Sequence, residues 1–292
     1  MARRRDDGPR GRGQRGSGGS RHTAHDREHA RGPAHHGASG GSSSGHRADD
    51  RLVRVAGLPS VAELFETGAD RVERLYFQSA LRPHVQDWCA MLARRRKVYR
   101  QVGDDEMRRV AGTAMHGGIV AIARLRPIRD LDLDAAERWA AAGDPLLVLD
   151  GVGNPQNIGA IVRTAAFFGV RRMVLSDQPG QAALSDTSYR VAKGGLEHVE
   201  LYSVHQCPDA LRRLAAFYHV VGTAVSRGTP LARLERGPKP IALVLGNEED
   251  GLAPATLAAC TSVVALGGTG RVQSLNVSAA AAILIHALLA RA

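Results

Sequence analysis

The chain has 292 residues, 43% of them hydrophobic, with 39 Lys and Arg against 29 Asp and Glu and a net charge of +10. That apolar content supports a packed core and excludes wholesale disorder, and the length suits two domains. The longest apolar stretch, residues 279–290, is interrupted by His286 and falls short of the roughly 20 residues that cross a bilayer. No apolar run of a secretory signal follows the basic start, so a cytoplasmic protein without a membrane partner is expected. Cys89, Cys207 and Cys260 stand far apart with no CxxC pair, so buried thiols are expected, with no disulfide framework and no metal site.

Residues 2–51 contain no Val, Ile, Leu, Met, Phe, Tyr, Trp or Cys. Such a segment cannot offset its ordering entropy by burial, and residues 1–51 read as a disordered Arg/Gly/His-rich tail. Its opening, "RRRDDGPRGRGQRGSGGSR", is of the kind found in nucleic-acid-binding tails. The histidines from His22 to His46 are scattered, which suits a solvated tail better than a metal tract. The charge is uneven: residues 1–51 and 52–126 each carry a net +5, whereas 127–292 are balanced. A basic part beside a neutral domain suits a polyanion held by one and processed by the other.

Residues 52–126 read as a small alternating α/β domain. "VAGLPSVAELFETG" gives a strand, a turn at Gly57–Pro59 and a helix capped by Ser60, with Glu63 completing a capping box. "VERLYFQ" is a strand, and a helix starts near Pro83. "KVYRQV" is a strand, "DDEMRRVAGT" a helix capped by Asp104, and "GGIVAIARL" a further strand. The basic cluster Arg94, Arg95, Arg96, Lys97 and Arg100 lies at a helix end. Pairing with the helix dipole and contact with phosphate are both compatible with that position.

Residues 127–144 read as a linker helix, and 145–292 as a second domain. There, "DPLLVLDGVGNPQNIGAIVRTAAFFGVRRMVLSD" gives strand, Gly/Pro-rich loop, helix and strand, and "HVELYSV", a helix over 207–218, "YHVVGTAV", "KPIALVLGNEEDG" and "TSVVALGG" continue the alternation. That pattern predicts a parallel, helix-covered sheet. The last helix, from Asn276 onward, is apolar nearly all round, which a subunit interface would explain. Ligands of such sheets sit at the carboxyl ends of strands, where three Gly-containing polar loops fall: "DGVGNPQNIGAIVRT" (150–164), "LGNEEDGL" (245–252) and "LGGTGRVQSLNVS" (266–278). A dinucleotide turn followed by Asp177 is set aside, because Gln156 replaces the third glycine and Pro155 sits inside the turn.

The strings "NPQNIGAIVRTAAFFGV", "VLGNEEDGL" and "SLNVSAAAAILIHAL" together resemble, in order and spacing, the signature motifs of the SpoU/TrmH RNA ribose methyltransferases. Residues 52–126 are similar to that family's substrate-binding domain. The resemblance implies a trefoil-knotted α/β fold, a homodimer, S-adenosylmethionine as cofactor, and methylation of a ribose 2′-hydroxyl in rRNA or tRNA. The alternative is an RNA-binding protein that has kept the fold without catalysis.

A ribose hydroxyl must lose its proton as it attacks. The resemblance places Arg163 at the catalytic arginine, where a guanidinium that stays charged can stabilise the developing alkoxide or hold a phosphate. It gives Asn157 and Glu248 catalytic-site positions. Asn157 also suits an N-cap, and a carboxylate at the end of a buried strand needs a partner, for which an arginine is expected. Ser274 and Asn276 are implied to orient substrate or Arg163, although Asn276 or Ser278 suits a helix cap as well. Gly246, Leu266 and Leu275, with Thr223, are implied to surround the adenosyl group, which needs apolar walls and few charges. Two departures from the family pattern are Leu266-Gly267-Gly268 in the cofactor loop and Ala192, where relatives often carry serine.

Overall fold

The computed structural model describes residues 51–225 and 228–290; the tail expected over 1–51 thus lies, but for Arg51, outside the described residues. The first sheet is built from β1 (Leu52–Ala56), β2 (Val72–Phe77), β3 (Val98–Gln101) and β4 (Ile119–Arg124), in the order β1-β4-β2-β3. Its pairs are antiparallel except β2 with β3. Helices α1 (Leu58–Gly68), α2 (Gln86–Arg94) and α3 (Asp104–Ala111) connect the strands. Buried Val53, Val55, Leu75, Leu64 and Leu92 form a core shared by β1, β2, α1 and α2, while Met107 of α3 packs with Ala56 and Val120.

Three helix starts differ from expectation. Helix α1 begins at Leu58 with Gly57 (φ +91°) as its uncapped entry and Pro59 in the first turn. Ser60 is therefore already helical and buried, and Glu63 bonds His198 instead of closing a capping box. Residues Ser79–His84 form a 3-10 segment around Pro83, so α2 begins only at Gln86. Helix α3 enters through Gly103; Asp104 is its first helical residue, bonded to Gln78 and Arg108. Three acids open α3 and Gly112, at φ +65°, closes it, as the helix dipole and a left-handed cap favour.

The second sheet is larger. In chain order its elements are β5 (Arg129–Asp130), α4 (Leu133–Ala141), β6 (Leu146–Asp150), α5 (Pro155–Phe167), β7 (Arg172–Ser176) and α6 (Asp186–Ala192). There follow β8 (Glu200–Val204), α7 (Cys207–Leu214), β9 (His219–Ala224), β10 (Thr229–Pro230), β11 (Ile241–Gly246), α8 (Pro254–Ala259), β12 (Ser262–Ala265) and α9 (Val277–Leu288). The strands lie in the order β10-β12-β9-β11-β6-β7-β8-β5, and every pair is parallel. All residues of β6 and β11 are buried, which is why both read as unbroken apolar runs.

Helices cover both faces of this sheet. On one, α5, α6 and α9 enclose Leu147, Leu149, Ile158, Ile161 and Leu284; on the other, α4, α7 and α8 enclose Leu146, Val148, Leu211 and Tyr218. Residues 127–144 do more than link: β5 extends the sheet edge beside β8, and α4, capped by Asp132, buries Ala136 and Ala140 in its core. Arg172 ties this region down, stacking 4.5 Å over Trp139 and bonding Asp144 at 2.7 Å. Helix α6 had no counterpart in the sequence reading. It lies against α5 because residue 159 is glycine: a Cβ there would fall 2.6 Å from the Ser188 carbonyl oxygen.

Charged groups join the two sheets. Arg54 on β1 donates its amide and its guanidinium to the Asp186 carboxylate, both at 2.7 Å. Arg71, beside β2, pairs with Glu197 beyond α6, and Arg126 Nη1 approaches the same carboxylate at 3.8 Å. The Glu197 side chain is 3% exposed. Burial alone would lower the Arg71 pKa, but Glu197 outweighs it and the net direction is up. Removing the carboxylate leaves two half-buried guanidiniums, Arg71 and Arg126, without their counter-charge. Glu197→Ala is therefore expected to cost about 3 kcal/mol in urea unfolding, on the scale of a broken buried pair. A change within a few tenths would show that the junction does not depend on this carboxylate.

Candidate cofactor and catalytic site

The loops following β6, β9, β11 and β12 gather at the carboxyl edge of the large sheet. The last three of them line a cavity of about 690 Å³. That is within the range of small-molecule sites. Thr223, Gly246, Glu248, Leu266, Ser274 and Leu275 all line it, so six of the nine site residues expected from sequence meet in one place. The walls include Val264, Val277 and Leu284, and Glu248 is the one charged group in the described lining.

Local backbone chemistry shapes this cavity. Gly246 ends β11 where the chain turns back on itself: a Cβ there would lie 2.4 Å from the Gly251 carbonyl carbon. Asn247 closes the turn. Its backbone exchanges hydrogen bonds with Gly251, and its Oδ1 accepts from the amides of Glu249 and Asp250 at 2.8 and 3.2 Å. Its Nδ2 donates to the Gly151 carbonyl at 2.9 Å, tying this loop to the one after β6. Glu249 and Asp250 remain exposed, as a solvated acidic turn should. The Thr223 hydroxyl donates to Val244 O at 3.1 Å, so it braces adjacent strands as well as facing the cavity.

A chain of side-chain hydrogen bonds connects the three loops. Asn157 Nδ2 donates to Glu248 Oε1 at 2.6 Å, and the Gly153 amide donates to Glu248 Oε2 at 3.3 Å. Asn276 Nδ2 donates to Asn157 Oδ1 at 3.2 Å. Glu248 is therefore satisfied by an amide side chain and a backbone N–H, not by the arginine expected from sequence. Nor is Asn157 a helix cap: Asn154 holds that position, accepting from Gln156 N at 2.8 Å, and Asn157 is buried one turn further on. Asn276 holds the capping position considered for it and also bonds a second site residue. Its Oδ1 caps α9 by accepting from Ser278 N at 2.9 Å while its amide reaches Asn157.

Arg163 stands apart. It is exposed on α5, outside the cavity lining, with no ion-pair partner among the described residues. Sequence reasoning missed two supporting residues. Asn247 adjoins Glu248 in the quoted "GNEEDG" string and could have been found there. Gln181 carries no sequence signal, yet its Oε1 accepts from the amides of Gly151 and Val152 at 3.0 and 3.1 Å and its Nε2 returns a bond to Val152 O. Beneath the site, the buried Asp150 carboxylate accepts from Thr256 Oγ1 at 2.7 Å. Burial first, and Asp150 second, push the Cys207 thiol well above its ordinary pKa, so it stays protonated. Among the described residues no group of His, Cys, Asp and Glu could hold a metal ion, and no helix is long and apolar enough to cross a membrane.

Fold and site together define a parallel α/β domain with a cofactor-sized, largely apolar cavity at its carboxyl edge, joined to a small mixed-sheet domain. Residues 144–286 match the SpoU rRNA Methylase family, and residues 54–127 match the RNA 2′-O ribose methyltransferase substrate-binding family. The chain belongs to the SpoU RNA methyltransferase family. It is 32% identical over 239 residues to the protein named uncharacterized tRNA/rRNA methyltransferase YfiF of Escherichia coli O157:H7, covering 80% of this chain and 66% of that one. It is 34% identical over 188 residues to the 23S rRNA (guanosine-2′-O-)-methyltransferase RlmB of Acinetobacter baylyi, covering 62% and 74%. The fold superposes with TM-score 0.69 on the crystal structure of an AdoMet-bound rRNA methyltransferase from Sinorhizobium meliloti, at 23% identity and covering 83% and 88%.

The Asn157–Glu248 bond gives a direct test of the site's construction. Asn157→Ala leaves the buried side of Glu248 without its amide donor and is expected to cost about 2 kcal/mol of stability, the scale of an orphaned buried acceptor. Thermal or urea unfolding of the variant measures it. An unchanged midpoint would mean that the loops are held together without this bond.

Proposed function

We propose that the protein transfers a methyl group from S-adenosylmethionine to a ribose 2′-hydroxyl of ribosomal or transfer RNA. The observation that carries this reading is the bonded chain Glu248–Asn157–Asn276 at the edge of the cavity. It joins all three motif loops in one constellation. The family, and the activity in the name of the Acinetobacter baylyi relative, support it.

The cavity residues fit the cofactor. Leu266 and Leu275 supply apolar surface for an adenine, Gly246 and Thr223 bring backbone close to it, and the one carboxylate suits a cationic ligand. When bound, S-adenosylmethionine supplies an electrophilic methyl group on a sulfonium. Ser274 and Asn276, on the loop leading into α9, orient the incoming ribose. The positive charge of Arg163 stabilises the alkoxide as the hydroxyl proton leaves to solvent, or holds the adjoining phosphate. Its exposure, and the lack of an ion-pair partner among the described residues, leave it available to RNA.

Calorimetric titration with S-adenosylmethionine tests the cofactor reading, and absence of binding would overturn it. Arg163→Ala is expected to keep that binding and to lose roughly 100-fold or more in single-turnover methyl transfer, the scale of one preorganised electrostatic donor. Alanine is well tolerated in a helix, so a circular dichroism melt should match wild type. A folded variant that transfers methyl at the wild-type rate would remove Arg163 from the catalytic centre.

The remaining elements of the reading follow the family resemblance. The cofactor-binding chain is knotted, residues 52–126 bind RNA, 127–144 lead into the methyltransferase domain at 145–292, and the protein works in the cytoplasm. The basic tail adds sequence-independent affinity for RNA. The protein is a homodimer, paired through the outer face of α9. Ile283 on that face is 45% exposed and Phe167, at the end of α5, 82% exposed, more apolar surface than a lone helix usually shows to water. Sedimentation should give a dimer at micromolar concentration, and Ile283→Glu should give a monomer. A wild-type monomer would refute the pairing.

A further inference from the structure

Arg94, Arg95 and Arg96 follow one another at the end of α2, all exposed and without an ion-pair partner among the described residues. Lys97 and Arg100 nearby are already matched, by Glu73 and Glu106. The three free guanidiniums lead directly into β3, the end strand of the small sheet, whose outer edge has no neighbouring strand among the described residues. All four residues of β3 are exposed, Val98 at 50% and Tyr99 at 43%. Tyr99 stands in register with Leu75, which is fully buried against the α2 side. Residues in register on parallel strands share a face, so the Tyr99 ring leaves the sheet on the side where α2 ends.

The backbone adds an independent observation. Arg96 has φ +56°, the left-handed region. The chain turns there by the usual helix-ending bonds, Arg96 N to Ala93 O at 3.0 Å and Lys97 N to Leu92 O at 2.9 Å. Glycine is the residue that fits such a position without steric cost. A long charged side chain is kept where the fold alone would prefer none, and strain of this kind gathers at functional surfaces.

We propose that this edge is a platform for a single-stranded segment of RNA: Arg94, Arg95 and Arg96 hold successive phosphates, and Tyr99 stacks on an unpaired base. The proposal rests on the reading of RNA as substrate and narrows it to an unpaired loop or bulge. A duplex keeps its base faces stacked on one another and could use the arginines but not the ring.

The test uses the full-length protein with two labelled probes of equal length, an oligouridine and a blunt-ended RNA duplex. Arg96→Gly relieves the left-handed strain, so its thermal midpoint should hold or rise, while affinity for both probes falls. The slope of log affinity against log salt for the oligouridine should become shallower by about 0.7, one phosphate contact on a single strand. Tyr99→Leu should weaken oligouridine binding by roughly tenfold, as loss of one stacked base does, with duplex binding unchanged. Tyr99→Phe, which keeps the ring, should restore it and shows that any loss in the leucine variant is not a folding defect. An Arg96→Gly protein with the wild-type salt slope, or a Tyr99→Leu protein that binds oligouridine normally or loses both probes equally, would overturn the platform. If the wild-type protein binds neither probe, the RNA reading beneath it fails, whereas failure to bind S-adenosylmethionine alone would leave the platform standing and refute the enzyme.

Discussion

The site depends on one short hydrogen bond, from the Asn157 amide to the Glu248 carboxylate. Asn157 lies in the first turn of α5, just past the loop after β6, and Glu248 lies in the loop after β11; the two central strands pair over all of β6. That pairing brings the loops to the same edge, and the bond then fixes their separation. Gly246 makes the second loop tight enough to present Glu248, and Asn276 extends the chain to the third loop while starting α9. The carboxylate is satisfied only if the segments after β6 and β11 are both in place, and Asn276 ties the third loop to them through Asn157. The cavity is therefore a property of the assembled sheet, and no single loop could form it.

The small domain is held differently. Its buried apolar residues run on into the core of the large sheet, and three ion pairs fix the junction: Arg54 with Asp186, and Arg71 and Arg126 with Glu197. Asp186 and Glu197 bracket α6, the helix that packs on α5 through Gly159. Helix α5 in turn carries both Asn157 and Arg163. A continuous path of packed elements thus leads from the sheet of the small domain to the residues proposed to act in catalysis. RNA held on the far edge of that sheet would meet a methyltransferase domain in a defined orientation, because the joining charges are directional and, at Glu197, buried.

Much of this was legible in the sequence, for identifiable reasons. Unbroken apolar runs such as "LLVLD" and "IALVLG" can only be strands buried on both faces, and they gave the parallel sheet. The glycine and polar residues interrupting those runs marked the loops that now line the cavity. What was missed depends on contacts made across long separations. Gln181 braces Gly151 and Val152 through its side chain, and nothing in its neighbours announces that. The partner of Glu248 was misjudged because charge alone suggests an arginine, whereas the fold supplies an amide and a backbone N–H. Ser60 was misplaced by a local rule: Pro59 accepts the first helical turn, which moves the start ahead of any serine cap.

The order of strands in the large sheet bears on how the protein is made. Leu146 in β6 pairs with Ala242 in β11, so one edge of a wholly buried strand must wait for its neighbour until most of the domain has left the ribosome. At elongation rates of roughly 5–20 residues per second, that wait is on the order of ten seconds. During it β6 has only β7 beside it, and its open edge is a template for the same strand of another nascent chain. Crowding of ribosomes on one message would bring such edges together, so the hazard belongs to synthesis and not to the finished fold, where β11 covers that edge.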